Sequence, residues 1–292
     1  MNCILCGSGD NQEFTRVDSF GFPLVYYQCN TCGLIFQSTV ENQAIDPHFY
    51  AESYRQIYQS SVDPTGKDLW IQEHRAFSLV SILRTLKIDS LEHILDIGAS
   101  SGILLETMRS AFEANVIGVE PGDAYRAHAE NRGIEMYASV EDLIGNHPPK
   151  FDLVSMIHVL EHLADPIGML KTIRTDLLKE NGILMLEVPN FYTHDSYELA
   201  HLACYTPHTL QQALRQAGYH VFFFHRHGFP RSELLNLYLL VLAQPLPAEI
   251  PIPDVDPDQG VRFKRQMGLL YRRAVQKLFP HRAWLPIPDV KV

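Results

Sequence analysis

Ile94-Leu95-Asp96-Ile97-Gly98-Ala99-Ser100-Ser101-Gly102, followed by Val116-Ile117-Gly118-Val119-Glu120, is the stretch whose reading decides the fold. An apolar run broken by glycines, then a second apolar run ending in an acid, predicts a buried strand, a turn opening a helix, and a second buried strand. An α/β fold builds a nucleoside site in this way. Gly98 suits the tight turn and Gly102 the close packing of the helix, while the two carboxylate oxygens of Glu120 suit the two hydroxyls of a ribose. What is missing narrows the ligand. A dinucleotide fingerprint needs G-x-G-x-x-G so that backbone can approach a pyrophosphate, but Ser100 stands where a further glycine is expected, and no G-x-x-x-x-G-K-[ST] loop exists in the chain. A phosphate-poor nucleoside fits better.

The alternation continues along the chain. Strands are predicted at 93–98, 115–120, 134–137, 151–157, 182–188, 219–226 and 233–243, with helices at 102–112, 122–132, 166–179 and 207–217. This order implies an α/β, Rossmann-like, doubly wound sheet that is mainly parallel. Only the turn around Gly228-Phe229-Pro230 separates the last two strands, which predicts an antiparallel hairpin. Residues 67–87 read as an amphipathic helix with Leu69, Trp70, Ala76, Phe77, Val80, Leu83 and Leu86 in a stripe. Ligands bind outside the carboxyl ends of such strands, so loops after residues 98, 120, 137, 157 and 188 are expected to line the pocket.

Two C-x-x-C-G knuckles, Cys3-Ile4-Leu5-Cys6-Gly7 and Cys29-Asn30-Thr31-Cys32-Gly33, lie 22 residues apart. Thiolates of Cys3, Cys6, Cys29 and Cys32 at that spacing predict a closed, tetrahedral structural zinc site with no position left for substrate. A redox dithiol or a disulfide accounts less well for paired knuckles in a reducing compartment. Short strands over Phe14 to Val17 and Pro23 to Gln28 complete a zinc ribbon over residues 1–38. Cys204 is left over and reads as a small buried thiol.

The 292 residues are 46% hydrophobic, and none of the apolar runs reaches the roughly 18 residues that a membrane span needs. A soluble globular protein is expected. The N-terminus enters the first knuckle without the basic and apolar lead of a signal peptide, so the expected location is cytoplasmic. Residues 259–292 carry eight Lys or Arg against Asp289, a charge of +7, leaving −17 on residues 1–258 of a chain whose net charge is −10. An acidic body of this kind repels a phosphate backbone, so nucleic acid is not an expected partner. Pro245, Pro247, Pro251, Pro253 and Pro257 form a stiff linker, and Val261 to Phe279 then reads as a helix with Phe263, Met267, Leu270, Tyr271 and Val275 on one side. Docking of this basic helix onto the acidic body or in a homodimer is expected ahead of a membrane-surface role. Residues 39–65 hold an aromatic stretch from Pro47 to Tyr58, a linker whose aromatic spacing suggests a short packing helix.

Four segments, in order, resemble the class I S-adenosylmethionine-dependent methyltransferases. They are Leu95-Asp96-Ile97-Gly98-Ala99-Ser100-Ser101-Gly102, Val119-Glu120-Pro121, Phe151-Asp152-Leu153-Val154 leading to His158-Val159-Leu160-Glu161-His162-Leu163-Ala164-Asp165-Pro166, and Gly182-Ile183-Leu184-Met185-Leu186-Glu187-Val188-Pro189-Asn190. The resemblance covers roughly residues 66–243, the expected cofactor domain, with residues 244–292 as a tail. It implies a seven-stranded sheet and S-adenosylmethionine as cofactor, and a lid role over that cofactor for residues 39–65, with Tyr54 and Tyr58 as candidate contacts. Asp96, Gly98, Ala99 and Gly102 then fall on the turn and the methionine end, Glu120 and Pro121 on ribose, Ser139 and Val140 near adenine, and His158 at the cofactor or substrate. Ser100 departs from the family's central glycine.

His201-Leu202 to Tyr205-Thr206 resembles the H-L-x-x-[FY]-[ST] stretch of methyltransferases with an N-terminal zinc knuckle, including those that methylate carbon of deoxysugar nucleotides. There the histidine is the base, which makes His201 the first candidate here, with His158 and His194 as competitors. Ala200 replaces the usual glutamate, and the long C-terminal domain of the sugar enzymes is absent. Methyl transfer to a small-molecule acceptor, a sugar nucleotide or other secondary metabolite, is the implied function. The alternatives are rRNA or tRNA methylation and a noncatalytic module that retains the cofactor fold.

Overall fold

The computed structural model describes residues 1–19, 21–38, 63–195, 197–247 and 249–288; the stretch with Tyr54 and Tyr58 lies outside them. The chain opens with β1 (Asn11–Ser19), β2 (Phe22–Cys29) and β3 (Ile35–Gln37), an antiparallel ribbon. Each knuckle closes on itself through a glycine, with Gly7 N donating to Cys3 O and Gly33 N to Cys29 O at 2.8 Å. Both glycines have positive φ, 73° and 82°, a region that L-residues avoid.

α1 (Gly66–Thr85) begins at a capping box of Thr65 and Asp68. Then follow β4 (His93–Ile97), α2 (Ile103–Phe112), β5 (Asn115–Val119), α3 (Asp123–Glu130), β6 (Glu135–Tyr137), α4 (Val140–Gly145) and β7 (Phe151–Ile157). A short turn of 3-10 helix (Leu160–His162) leads to α5 (Pro166–Thr172) and β8 (Leu178–Pro189). The chain continues through β9 (Ala203–Cys204), α6 (Pro207–Gln216), β10 (Tyr219–His227), β11 (Tyr238–Pro245), α7 (Val261–Leu278) and α8 (Pro280–Ala283).

The main sheet has the order β10-β11-β8-β7-β4-β5-β6, with β11 antiparallel to both its neighbours and the other pairs parallel. Central strands such as β4 and β7 are covered on both faces, which is why they read as mostly apolar runs rather than as strict alternation. β4 lies between β5, which follows it in the chain, and β7, which comes later. That reversal of strand order opens a crevice at the carboxyl ends.

Differences from the expected elements are local. Residues 173–177 form a π-turn after α5, so β8 starts at Leu178 within the stretch expected to be helix. β11 starts at Tyr238 rather than near 233 because the Ser232 hydroxyl accepts from the backbone of Leu234 and Leu235 and holds them in a turn. In α1, Phe77 is 58% exposed and Leu79 is buried instead. In α7 only Val275 of the five expected apolar residues is buried; Phe263, Met267, Leu270 and Tyr271 are 49% or more exposed. The docked side is Val261, Arg265 and Val275. Arg265 wins that place because its guanidinium donates to the carbonyls of Phe191 and His194 and lies over the rings of Phe191 and Tyr197 at 4.6 and 5.4 Å. Among the described residues, no helix is long and apolar enough to cross a membrane.

Candidate cofactor and acceptor site

A cavity of about 580 Å³ occupies the crevice. Of the residues singled out in the sequence, Asp96, Gly98, Ala99, Glu120, Pro121, Ser139 and His158 line it, whereas Gly102, Val140, His194 and His201 lie outside its lining. Asp68, Gln72 and Arg75, one face of α1, form a wall that the apolar pattern of that helix did not announce. His162 also lines it and was not singled out.

The turn after β4 is shaped by its glycines. Gly98 has φ 81°, and a Cβ there meets Val159 Cγ2 at 2.3 Å; Gly102 has φ 78°, and its Cβ meets Ile134 and Ala129 at 2.7 and 2.8 Å. Ser100 also adopts positive φ, 50°, the conformation for which glycine is the usual choice. Its backbone N–H donates to Glu120 Oε2 at 2.9 Å, and Gly122 N donates to Oε1 at 3.0 Å. Two backbone donors thus fix a nearly buried carboxylate at the cavity wall, with its two oxygens spaced as the two hydroxyls of a ribose require. Asp96 accepts from Ser155 Oγ at 2.6 Å. Burial pushes the Asp96 carboxyl up to about 7, with the charge of Glu120 adding to the shift and Ser155 opposing it. Ser139 caps α4 by accepting from Asp142 N at 3.0 Å, which leaves its O–H as a donor.

Beyond the crevice lies a histidine and carboxylate cluster. Glu187, at the end of β8 and fully buried, receives Arg75 from α1 at 2.9 Å, His158 at 3.0 Å and His227 from β10 at 3.1 Å. His158 Nδ1 faces Glu161 at 3.3 Å. Burial and the Arg75 cation pull the His158 pKa down, but its contacts with Glu161 and Glu187 outweigh them and hold it above the ordinary value. His158 therefore serves better as a donor than as a base. Burial lowers His162 to about 4 and His194 to about 3. His201 is buried, packs against the His162 ring with centroids 5.0 Å apart, and has Nε2 3.7 Å from Glu198. Glu198 brings to His201 a carboxylate of the kind that Ala200 lacks, and burial raises its pKa to about 7.

The four N-terminal cysteine sulfurs lie within 4.8 Å of one another, with Cys3 and Cys32 at 3.6 Å and Cys6 and Cys29 at 3.5 Å. Sulfurs placed tetrahedrally about 2.3 Å from a metal sit roughly 3.8 Å apart, whereas a disulfide requires about 2.05 Å. The spacing suits the former. Cys204 is buried at β9, as a leftover thiol in a packed core should be.

Comparison with known proteins bears on this geometry. A family model described as a methyltransferase domain matches residues 70–222, more than half of the chain. The ubiquinone biosynthesis O-methyltransferase of Actinobacillus pleuropneumoniae serotype 7 (strain AP76) is 31% identical over 141 residues, which cover 41% of this chain and 59% of that protein. The protein of the same name from Dinoroseobacter shibae is 36% identical over 104 residues, covering 33% and 41%. The chain thus spans 59% and 41% of the length of these two curated relatives. Among solved structures, magnesium protoporphyrin IX methyltransferase from Synechocystis PCC 6803 overlaps with a TM-score of 0.48 at 14% identity, covering 70% of this chain and 99% of that one. An S-adenosylmethionine-dependent methyltransferase from Clostridium acetobutylicum gives 0.47 at 14%, covering 68% and 99%. Neither overlap is close enough to carry an argument about function. With the glycine turn and the acid after β5 inside the matched region, and the seven-stranded order completed by β10 and β11 at and beyond its end, the chain belongs to the methyltransferase-domain family and has its class I, Rossmann-like fold.

Proposed function

We propose that this chain transfers a methyl group from S-adenosylmethionine to an oxygen of a small-molecule acceptor. The observation that carries the reading is Glu120, whose carboxylate is fixed by Ser100 and Gly122 at the wall of a cavity of about 580 Å³, within the range of cofactor sites. Glu120 would hold the ribose hydroxyls, Asp96 the methionine ammonium, and the backbone around Gly98 and Ala99 the methionine end. Pro121 and Ser139 are assigned to the ribose and adenine side, while Val140, outside the lining, packs behind them. The sulfonium donor supplies a methyl group already activated for displacement. The protein's task is to align the nucleophile, exclude water and take up one proton.

We assign the proton to His201, backed by Glu198, with His158 as a hydrogen-bond donor to the acceptor or cofactor; His194 is too far lowered in pKa to be poised near neutrality. The four-cysteine cluster is proposed to hold a structural zinc, in keeping with its sulfur spacing. An oxygen acceptor is favoured by the names of the curated relatives; a sugar nucleotide stays within the proposed class. The test is release of S-adenosylhomocysteine across a panel of hydroxylated metabolites and nucleotide sugars, with none released for any member counting against the reading. On the substrate so found, His201→Asn should leave cofactor affinity intact and lower kcat about a hundredfold, the usual contribution of a positioned base. Unchanged kcat would remove His201 from the proton step.

A further inference from the structure

The loop between β8 and α6 carries His194, Glu198 and His201, and it is gripped from two sides by parts of the chain outside the main sheet. From the ribbon, β3 pairs with β9, Ile35 opposite Cys204 and Phe36 opposite Ala203. Gln37 continues the contact. Its backbone N–H donates to Leu202 O at 2.9 Å, and its side-chain amide donates to the carbonyls of Glu198 and His201, both at 2.7 Å. The Tyr26 hydroxyl donates to Glu198 O at 2.9 Å. Gln37 and Tyr26 are 2% and 0% exposed, so these bonds have no water to replace them.

The tail closes on the other side of the same loop. Arg265, 4% exposed, donates to Phe191 O and His194 O, and Arg272 donates to Thr193 O at 3.1 Å. Asp258 accepts from Tyr192 Oη and Thr206 Oγ1, each at 2.7 Å, while its own N–H donates to Cys32 O in the second knuckle at 3.2 Å. A loop this irregular leaves many carbonyls without a ladder partner, and here buried side chains from the two chain ends supply their donors. Both ends of the chain therefore bear on the backbone that carries the Glu198–His201 pair.

We propose that Gln37 and Arg265 are positioning residues, and that ribbon and tail form a two-sided clamp that fixes Glu198 and His201 behind His162, whose ring packs on His201 and lines the cavity. The clamp rests on the reading of that cavity as the methyl-transfer site. It gives the ribbon a role without contact to cofactor: the metal-stabilised knuckles are the rigid base from which Gln37 holds the loop.

The experiment uses the full chain with its ribbon metal in place. Gln37→Leu keeps the shape and removes the donors; Arg265→Met removes the cation, and Arg265→Lys restores it. Hydrogen exchange over residues 197–206 should quicken at least tenfold in Gln37→Leu and Arg265→Met and less in Arg265→Lys. The His201 ring resonances should move in the first two variants, while S-adenosylmethionine affinity stays within twofold and metal content is unchanged. Unchanged exchange and His201 resonances in folded Gln37→Leu would overturn the clamp. If Gln37→Leu does not fold, Tyr26→Phe removes one donor with less disturbance, and unchanged exchange there overturns it equally. A parent protein that binds no S-adenosylmethionine defeats the functional reading instead, and leaves the exchange result to stand by itself.

Discussion

Ser100 sits at φ 50° in the turn after β4, a conformation that costs an L-residue roughly 1–2 kcal/mol and glycine almost nothing. Its N–H nevertheless reaches Glu120, because that bond is made by the backbone and not by the missing glycine. Ser100→Gly should therefore raise stability by roughly 0.5–1 kcal/mol, the relieved strain less the greater chain entropy that glycine loses on folding, with cofactor affinity unchanged. Urea unfolding checks this, and a loss of stability would show that the serine side chain contributes contacts of its own. Asp96 makes the opposite kind of compromise. Its pKa of about 7 in the fold exceeds the ordinary 3.8, so the folded state binds the proton more tightly, and stability from this group falls as pH rises from 3.8 toward 7. Asp96→Asn should stabilise the cofactor-free protein more at pH 8 than at pH 5, by on the order of 2–3 kcal/mol, while weakening S-adenosylmethionine binding. An equal gain at both pH values would contradict the burial argument.

Elements differ in how far the sequence announces them. β4, α2, β5 and β7 were legible because each carries a mostly apolar run or an apolar stripe, and the turn with its acid followed from Gly98, Gly102 and Glu120 between them. α4 had a signal that went unread: Ser139 three residues before Asp142, the spacing of an N-cap. β9 had none, since two residues form it only by pairing with β3 from far away in the chain. Arg75, Gln72 and His162 were invisible as cavity residues for a similar reason, because which side of α1 faces the crevice is settled by tertiary packing. The pairing of β9 yields a prediction for the ribbon. Metal bound by four thiolates stabilises a small module through its folding, so purified protein should contain about one zinc per chain. Chelation should release the knuckles and with them β9, while the main sheet stays protected. Retained protection of residues 202–204 after complete metal removal would contradict this coupling.

In the whole molecule, two accessory modules bear on one loop beside the crevice. The α/β sheet alone presents Asp96, Glu120 and the glycine turn, whereas the loop with Glu198 and His201 takes its shape from Gln37 on one side and Arg265 on the other. The basic tail meets the rest of the chain through Arg282 with Glu233 at 2.8 Å and through Arg265 with backbone carbonyls, while Lys264 pairs with Asp258 within the tail at 2.6 Å. The claim on which the rest depends is that Glu120 holds the ribose of S-adenosylmethionine. Calorimetric titration of the parent and of Glu120→Ala with S-adenosylhomocysteine tests it most directly. One site per chain is expected in the parent, and a loss of roughly 1.5–3 kcal/mol in the variant, about 10- to 150-fold in Kd, the range for hydrogen bonds to a charged group. No binding by the folded parent, or equal affinity in the two proteins, would contradict it.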